Sequence, residues 1–366
     1  MNVVPVHSPD HFSTARRKLW LEAVNLQAAY WTWAEHGWLY KEHFYDFGGS
    51  GAVHMLGGAA SLVAAVVIGP RIGRFSRDSE GNVVDNHIPG HSSALSVLGA
   101  FILWFGWYGF NPVSTMEYTR MQAATRVAVA TTLSACSGGT TALILSVWYD
   151  RHPSVTPIIN GILSGLVGIT ASSSVVEPYA AVAIGAVSAL ICGFASKALI
   201  RFRIDDPLDA SPVHFFCGLW GVIAVGLFAS KEHAAEEMPF SSELSAKTHA
   251  GLFFGGDGSQ LKAQMIGALA ISSWSFGTCC ILFLGLRSLK ILRVPVEDEI
   301  KGLDITHHGG HAYNMEPMHG GPTKQEDTST CPDDGTPLRS GQLSDYIETS
   351  YIERRNFHGG AVPEVV

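Results

Sequence analysis

Seven long apolar stretches constrain the fold of this chain more than any other feature of its sequence. They cover roughly residues 47–69, 92–112, 125–149, 156–174, 179–200, 212–230 and 262–289. A helix that crosses ~30 Å of hydrocarbon needs about 20 mostly apolar residues, and each stretch is close to that length. Glycine or proline marks most of the boundaries. The sequence therefore predicts an all-α fold, a polytopic membrane helical bundle.

The composition excludes several other classes of protein. Only 15% of the residues are charged and 47% are hydrophobic, whereas soluble domains carry about 25% charged residues. The high hydrophobicity excludes intrinsic disorder, and a formal net charge of −8 without a basic patch disfavours nucleic acid as a partner. Six cysteines in 366 residues are too few for a secreted disulfide framework. The predicted partner is the lipid bilayer.

The distribution of Lys and Arg predicts the orientation in the membrane, because short cytoplasmic loops carry an excess of both. One side of the predicted bundle collects eleven of them, and the other side carries three. The first side includes the loop that follows residue 69 and the segment that follows residue 287. We therefore expect a multi-pass protein, in the plasma membrane, with a cytoplasmic C-terminus.

The chain divides into four predicted regions. Residues 1–34 combine a polar arm with the short apolar segment 19–34, which could form half of a spanning helix or an aromatic segment at the interface. Residues 35–292 form the transmembrane region, and residues 293–313 form a cytoplasmic regulatory segment. Residues 314–366 are rich in Pro, Gly, Ser and acids and are predicted to be disordered. Seven crossings would place the basic residues at 16–18 outside, which suggests that residues are missing upstream.

Two histidines, His54 and His214, lie inside apolar stretches, where an ionisable group is costly and marks a functional path by default. Aligned on Val-His, each has an aspartate eight residues upstream (Asp46, Asp206) and a glycine four residues downstream. The charge count makes the two spans run in opposite directions, which is the signature of an inverted repeat with its site at the midplane. Two imidazoles at that place could bind a small polar solute and relay its proton.

Other uses of this region remain open. A zinc ion normally takes three or four ligands, and Cys217 is the one further in-span candidate near either histidine, so no metal or other cofactor is predicted. The sequence shows neither a ring of acids nor a carbonyl-rich filter, which disfavours a channel for hydrated ions. The stripe LWFGWYGFNPVS at 103–114 is consistent with an aromatic belt at the interface, or with a cage for a cation. The sequence shows neither a nucleophile–base motif nor a nucleotide-binding motif, so we do not expect an enzyme.

Five segments together resemble the Amt/Mep/Rh ammonium transporter superfamily, in its eukaryotic Amt-type branch. They are DFGGSGAVHMLGG (46–58), GPRIGRF (69–75), LWFGWYGFNPVS (103–114), RIDDPLDASPVHFFCGLWGVIAVGLFA (203–229) and GLDITHHGGHAY (302–313). The resemblance implies an inverted-repeat fold of eleven helices, assembled as a homotrimer with one hydrophobic pore per subunit. The seven stretches resemble its last seven helices, so we expect that this chain is truncated at its N-terminus, as a fragment or as a short isoform.

The resemblance also assigns roles to individual positions. It implies that His54 and His214 are the twin pore histidines, that Phe110 is a gate residue and that Trp107 lines the pore. Outer ammonium-binding positions fall on Ser114, Trp33 and Asp46, and a regulatory segment falls on Gly302, Asp304 and Thr306, with Thr306 as its phosphorylated residue. The implied function is transport of ammonium or ammonia. The alternative is an ammonium sensor, or a regulatory subunit in a hetero-trimer with related subunits.

Overall fold

A computed structural model describes residues 24–116, 118–237, 249–310 and 313. The predicted polar arm (1–18), part of segment 19–34 and the whole predicted disordered tail (314–366) lie outside the described residues. The chain divides into two compact units. The first contains the residues up to Arg71 and those from His87 to Arg293, and the second contains Ile72–Asn86 and the residues from Val294 onward.

The first unit is helical. Residues 24–33 form α1, and the following helices are α2 (Trp38–Lys41), α3 (Ser50–Ile68), α4 (Ser93–Phe110), α5 (Met121–Asp150), α6 (Val155–Ile169), α7 (Pro178–Arg201), α8 (Ser211–Phe228), α9 (Lys231–Glu237) and α10 (Ser259–Ser288). Short 3₁₀ turns lie between these helices, at Pro112–Thr115, Tyr118–Arg120 and Leu252–Phe254. Local sequence determines where two of these helices begin, because Ser92 caps α4 through its Oγ and Pro178 occupies the first turn of α7.

Six of these helices, α3, α4, α5, α7, α8 and α10, are long and apolar enough to cross a membrane. The fourth predicted stretch, 156–174, forms a shorter helix than the sequence predicts. Its helix α6 has 15 residues and ends at Ile169, which gives it a length of about 22 Å. The next residues, Thr170 to Val175, form a fully buried turn. The periodicity of the sequence does not reveal this stop, because Thr, Ala and Ser continue the small, weakly polar character of the helix.

Small residues allow α5, α6 and α7 to pack closely. A Cβ at Gly138 of α5 would overlap the backbone of Gly161 in α6, and one at Gly165 of α6 would overlap the carbonyl of Ser134 in α5. Ser134 Oγ donates to the carbonyl oxygen of Gly165 at 2.7 Å. In lipid, helix association depends on this close backbone approach and on hydrogen bonds between helices. The high glycine content therefore serves the packing of this bundle.

The second unit combines a hairpin with two short helices. Strands β1 (Phe75–Arg77) and β2 (Val83–Asp85) pair in antiparallel fashion, with Phe75 opposite Asp85. Arg74 pairs with Asp85, donates to the carbonyl oxygen of Asn86 and lies over the Phe75 ring. Helices α11 (Val296–Lys301) and α12 (Leu303–His308) follow later in the chain. The backbone N–H of Ile72 donates to Glu299 Oε1 at 2.8 Å, so the hairpin segment and α11 are in contact.

Candidate functional site

The two histidine-bearing helices begin in the same unusual way. Each starts with a six-residue π-helical turn, Ser50–Met55 in α3 and Ser211–Phe216 in α8, and each turn contains the histidine, at the fifth position in α3 and at the fourth in α8. π-Helical turns are rare and occur frequently at functional sites. The two turns overlap in the Val-His alignment with an offset of one residue, so the repeat that the sequence suggests is also a repeat of local backbone structure.

An aspartate caps each of these turns. Asp46 accepts hydrogen bonds from the backbone N–H groups of Gly49, Gly51 and Ala52 at 2.9–3.0 Å. Asp206 accepts from the N–H groups of Ala210 and Ser211 and from Ser211 Oγ. A carboxylate at a helix N-terminus satisfies donors that have no partner within the helix and interacts favourably with the helix dipole. The aspartates of the repeat therefore fix the two turns that present the histidines.

Glycines of the two helices bring the turns into reciprocal contact. A Cβ at Gly58 of α3 would overlap the backbone N of Phe215, the residue after His214. A Cβ at Gly218 of α8 would lie 2.8 Å from the backbone N of Met55, the residue after His54, and 2.6 Å from the Ser50 carbonyl oxygen. Each glycine therefore packs on the backbone beside the other helix's histidine. This exchange explains why the repeat carries a glycine four residues after each histidine.

The rings of His54 and His214 are stacked. Their centroids lie 5.3 Å apart with an angle of 13° between the ring planes. Trp107 of α4 continues the stack on the other side of His54, with centroids 5.2 Å apart and planes at 14°. Phe110, one turn later in α4, lies 5.6 Å from the His54 ring. The structure thus brings together the four residues that were expected to line a pore.

The imidazole nitrogens of this stack are available for a ligand. His54 Nε2 and His214 Nδ1 are both buried from solvent, and neither has a hydrogen-bond partner among the residues that the structure describes. A buried polar atom without a partner is costly, and imidazole nitrogens can donate or accept a hydrogen bond according to tautomer. The two histidines of the stack can therefore exchange hydrogen bonds with a small polar solute that has lost its water.

Thr170 and Asn111 were not predicted; Thr170 bonds directly to the stack, and Asn111 links α4 to α5 beside it. Trp107 Nε1 donates to Thr170 Oγ1 at 3.0 Å, which orients the indole plane against His54. Asn111 is fully buried and donates through Nδ2 to Thr131 Oγ1 at 3.1 Å. Thr170 stands in the buried turn after α6, about 60 residues along the chain from Trp107. Asn111 stands inside the motif LWFGWYGFNPVS, where a lone amide among aromatic residues was the available signal.

The same turn after α6 is bonded to the start of α3. Ser50 Oγ donates to the Val167 carbonyl oxygen and accepts from the backbone N–H of Ala171, both at 2.7 Å. The backbone N–H of Gly48 donates to the Thr170 carbonyl oxygen at 3.0 Å. Early termination of α6 exposes these backbone groups for bonding. The short helix therefore supports the turn that carries His54.

The three predicted outer residues have different surroundings. Trp33 in α1 is 44% exposed, and its Nε1 donates to the Asp46 carbonyl oxygen at 2.7 Å. Ser114 Oγ donates to the Phe110 carbonyl oxygen at 2.7 Å, which leaves its oxygen lone pairs able to accept. The Asp46 side chain is 2% exposed, and burial raises its pKa although the N–H groups that it accepts from act in the opposite direction. Its geometry is that of a helix cap.

Two glutamines near the start of α10 hold the segment that leads to Asp46. Gln264 accepts from the backbone N–H of Tyr45 at 2.8 Å and donates to the carbonyl oxygens of Tyr45 and Val222. Gln260 donates to the His43 carbonyl oxygen and bonds to the ring of His249, which is 1% exposed. Burial lowers the pKa of His249. Neither glutamine was predicted as a site residue.

An ion cluster holds the buried turn after α6 from the side of α5. Arg126 donates to the Ser174 carbonyl oxygen at 3.0 Å and pairs with Glu237 of α9 at 2.9 Å. Ser174 Oγ in turn bonds to the hydroxyl of Tyr45 at 2.8 Å. Glu237 also pairs with Arg120. Arg126 lies near one end of the apolar stretch 125–149, and the sequence carries no signal that separates its role from that of the span.

The predicted regulatory residues lie in the second unit. Gly302 separates α11 from α12 with φ of +90°, a left-handed conformation that glycine adopts at little cost. Thr306 is half-buried in α12 and its Oγ1 donates to the Gly302 carbonyl oxygen at 3.2 Å. Asp304 is exposed in the first turn of the same helix. In the described ranges, no group of three or more His, Cys, Asp and Glu side chains could hold a metal ion.

Comparison with known proteins gives a consistent result. Residues 16–313 match the Ammonium Transporter Family. The chain is 40% identical over 333 residues to Ammonium transporter 1 member 2 of Arabidopsis thaliana, covering 83% of this chain and 60% of that protein. It is 41% identical over 307 residues to Ammonium transporter 1 member 1 of Solanum lycopersicum, covering 79% and 61%. The chain thus spans about three fifths of the length of these curated relatives.

Solved structures agree with the sequence relatives. The crystal structure of Candida albicans Mep2 aligns with a TM-score of 0.66 at 31% identity, over 76% of this chain and 59% of that one. A structure named Sensor Amt Protein aligns with the same TM-score at 33% identity, over 76% and 65%. These matches confirm the predicted all-α, membrane-spanning transporter fold. The chain belongs to the ammonium transporter family.

Proposed function

We propose that this chain forms the histidine-lined part of a transmembrane pathway for ammonium and ammonia. The observation that carries the proposal is the stack of Trp107, His54 and His214, with successive centroids 5.2 and 5.3 Å apart. The stack lies between helices that are long and apolar enough to span a bilayer. Membership of the ammonium transporter family and about 40% identity to plant ammonium transporters support the choice of solute.

The outer residues recruit the cation. Trp33 and Phe110 are both partly exposed, and a cation over an aromatic face gains ~0.5–2 kcal/mol, more where it is desolvated. Ser114 adds an oxygen that accepts a hydrogen bond from NH₄⁺. Asp46 acts in this scheme by holding the π-helical turn that presents His54. Its carboxylate is committed to three backbone N–H groups.

Selectivity against K⁺ follows from the chemistry of the two cations. NH₄⁺ donates hydrogen bonds and can lose a proton, whereas K⁺ can do neither. An isolated ion that enters an apolar pathway forfeits its hydration, at a cost of many kcal/mol, whereas neutral ammonia does not carry that charge. His54 Nε2 and His214 Nδ1 are then available to exchange hydrogen bonds with ammonia. The displaced proton remains outside or follows the imidazole pair.

Replacement of the two histidines tests the pathway. We expect that His54→Ala and His214→Ala each abolish selective uptake of labelled methylammonium, because each removes a ring from the stack. The assay uses cells without their own ammonium uptake, with the chain alone and with the chain joined to the N-terminal part of the tomato relative. His152→Ala, at an exposed loop position, is the matched control. Normal uptake with normal selectivity over K⁺ in the double variant would contradict the proposal.

A second candidate function is sensing or regulation within an assembly of related subunits. The structural match to a protein named Sensor Amt Protein favours it. Coexpression separates the two functions. A transporter gives uptake when expressed alone or in the joined chain, whereas a regulatory subunit gives none and changes the uptake of a coexpressed plant relative.

The proposed assembly is a trimer in the plasma membrane, either of identical chains or with related subunits, and with the C-terminus in the cytoplasm. The positions of Lys and Arg support this orientation. Within such an assembly, Gly302, Asp304 and Thr306 form the proposed regulatory segment. Phosphorylation of Thr306 would remove the hydroxyl proton that now bonds to the Gly302 carbonyl oxygen. It would also add negative charge beside Asp304, which disfavours α12.

A further inference from the structure

A cavity of about 200 Å³ lies between α5, α6 and α7, at the end of the bundle where the basic loops lie. Its walls are largely apolar and include Leu145, Leu190 and Phe194. Three charged side chains also line it, Asp150, Lys197 and Asp209. Phe194 is 68% exposed and Tyr149 is 58% exposed, so the cavity opens on the outer surface of the helices. On a membrane-spanning bundle, a surface opening beside the basic loops is expected at the depth of the lipid headgroups.

The acidic side of the cavity is a rigid, half-buried carboxylate. Asp209 accepts hydrogen bonds from Asn160 Nδ2 at 2.9 Å and from Ser196 Oγ at 2.7 Å, one on each oxygen. Its backbone φ is +51°, a conformation that is uncommon for a residue with a side chain. Each carboxylate oxygen can accept more than one hydrogen bond. The carboxylate is therefore oriented by its neighbours and retains acceptor capacity.

The basic side of the cavity is Lys197, on the same helix as Ser196. Its ammonium lies 3.9 Å from the centre of the Tyr149 ring, which holds the flexible side chain at the rim. Lys197 is exposed and Asp209 is partly buried. Asp150, which follows Tyr149 and is exposed, adds a second carboxylate to the lining. A ligand that satisfies these residues needs a negative group for Lys197 and a cationic donor for the carboxylates.

We propose that this cavity binds the headgroup of a zwitterionic phospholipid with a primary amine, of the phosphatidylethanolamine type. The phosphate pairs with Lys197 and the amine donates to Asp209, while the first part of an acyl chain lies against Phe194 and Leu145. Phosphatidylcholine carries the same charges but its trimethylammonium has no N–H to donate. Phosphatidylglycerol carries the phosphate but no cation. Charge and hydrogen bonding thus select one class of headgroup.

Occupancy of this site would act on the pathway through Asp209. Asp209 lies between Asp206, which caps the π-helical turn of α8, and Ser211, which begins that turn. The backbone N–H of Asp209 donates to the Asp206 carbonyl oxygen at 3.1 Å. A ligand that holds Asp209 in its left-handed conformation therefore stabilises the loop from which His214 is presented.

Lipid titration of the purified full chain tests the proposal, with native mass spectrometry as the measurement. The four probes are the dioctanoyl forms of phosphatidylethanolamine, phosphatidylcholine and phosphatidylglycerol, and free phosphoethanolamine. We expect tightest binding of phosphatidylethanolamine. Lys197→Gln should weaken it about fivefold, as expected for loss of one exposed charge pair. The matched control Arg201→Gln, one turn further on the same helix and outside the cavity lining, should leave it unchanged.

A second pair of variants tests the position of the site without changing its charges. Leu145→Trp fills the cavity and should remove lipid selectivity, whereas Ile144→Trp adds the same ring at an exposed neighbouring position outside the lining. Equal binding of the three lipids would overturn the proposal, as would unchanged selectivity in both Lys197→Gln and Leu145→Trp. Equally tight binding of free phosphoethanolamine would assign the cavity to a soluble zwitterion and would overturn its assignment to a lipid.

Discussion

At the scale of single residues, the orientation of the stacked rings depends on groups outside the stack. Thr170 holds the Trp107 indole, and Trp107 is 7% exposed and stacks on His54. Ser114 instead lies in the turn after α4, with its hydroxyl bonded to a backbone carbonyl. Two residues of one sequence motif therefore occupy different environments. Trp107 supports the histidines, and Ser114 can accept a hydrogen bond from the cation of the proposed function.

This difference predicts a separation of kinetic effects. Ser114→Ala should raise the apparent KM for methylammonium and leave the maximal rate nearly unchanged, because a hydrogen bond to a charged group contributes about 1.5–3 kcal/mol, roughly a factor of ten or more. Trp107→Leu should mainly lower the maximal rate, because His54 loses the ring that fixes its plane. Thr140→Ala, which removes a hydroxyl bonded in the same way to the carbonyl four residues earlier, is the control. An unchanged KM in Ser114→Ala would remove Ser114 from the recruitment site.

At the scale of helices, the site depends on how closely α3 and α8 approach. Each helix places a glycine on the backbone beside the other's histidine, and Asp46 and Asp206 cap the turns that carry the histidines. Backbone atoms cannot move away as a side-chain end can. The distance between the two rings is therefore set by the absence of two Cβ atoms and by two carboxylates.

Adjacent glycines provide a direct test of this close approach. Gly58→Ala should destabilise the protein by about 1–3 kcal/mol or more, as expected for overpacking, and should abolish uptake. A Cβ at Gly57 meets nothing within 4 Å, so Gly57→Ala should be close to wild type in both respects. Thermal unfolding in detergent and methylammonium uptake are the measurements. Equal behaviour of the two variants would show that the helices tolerate separation.

The His249 contact predicts how stability depends on pH. Burial lowers the pKa of this histidine, so the folded state disfavours the protonated form that an unfolded chain adopts below about pH 6.5. The unfolded state then binds more protons, and stability falls as the pH drops below about 6.5 towards the lowered pKa of the folded state. Above that window the contribution is complete.

His249→Gln should reduce this acid sensitivity, since glutamine does not titrate and can still bond to Gln260. The measurement is the apparent Tm of the purified chain between about pH 5 and 7.5. His36→Gln, at an exposed position, controls for the loss of a histidine. The same slope in His249→Gln and in wild type would assign the acid sensitivity to other groups.

At the scale of the whole molecule, six of the seven predicted spans and the proximity of His54 and His214 could be predicted, because both have strong local signals. Long apolar runs identify helices, and an aligned Asp, His and Gly identify a repeat. The early stop of α6 and the supporting roles of Thr170, Arg126 and the two glutamines could not be predicted. Each depends on a contact between segments far apart in sequence, such as Gln264 with Tyr45, 219 residues apart.

The regulatory segment leads to a prediction about the assembled protein. Thr306→Asp should depress uptake, because aspartate cannot donate to the Gly302 carbonyl oxygen and places a negative charge in the C-terminal half of α12, where the helix dipole disfavours it. Thr306→Ser keeps the donor and should behave as wild type. If the proposed trimer forms, coexpression of Thr306→Asp with wild type should lower total uptake through mixed assemblies. If Thr306→Asp reaches the surface at normal abundance and its uptake equals that of wild type, regulation by phosphorylation of Thr306 is excluded.

The interlocked starts of α3 and α8 also have a consequence for biogenesis. His54 precedes His214 by 160 residues, which a ribosome adding about 5–20 residues per second needs roughly 8–32 s to synthesise. During that interval α3 is in the membrane with its histidine and the bare backbone around Gly58 unmatched by α8. Membrane insertion and site formation are therefore separate events. A chaperone or a neighbouring subunit that shields α3 would act in this interval.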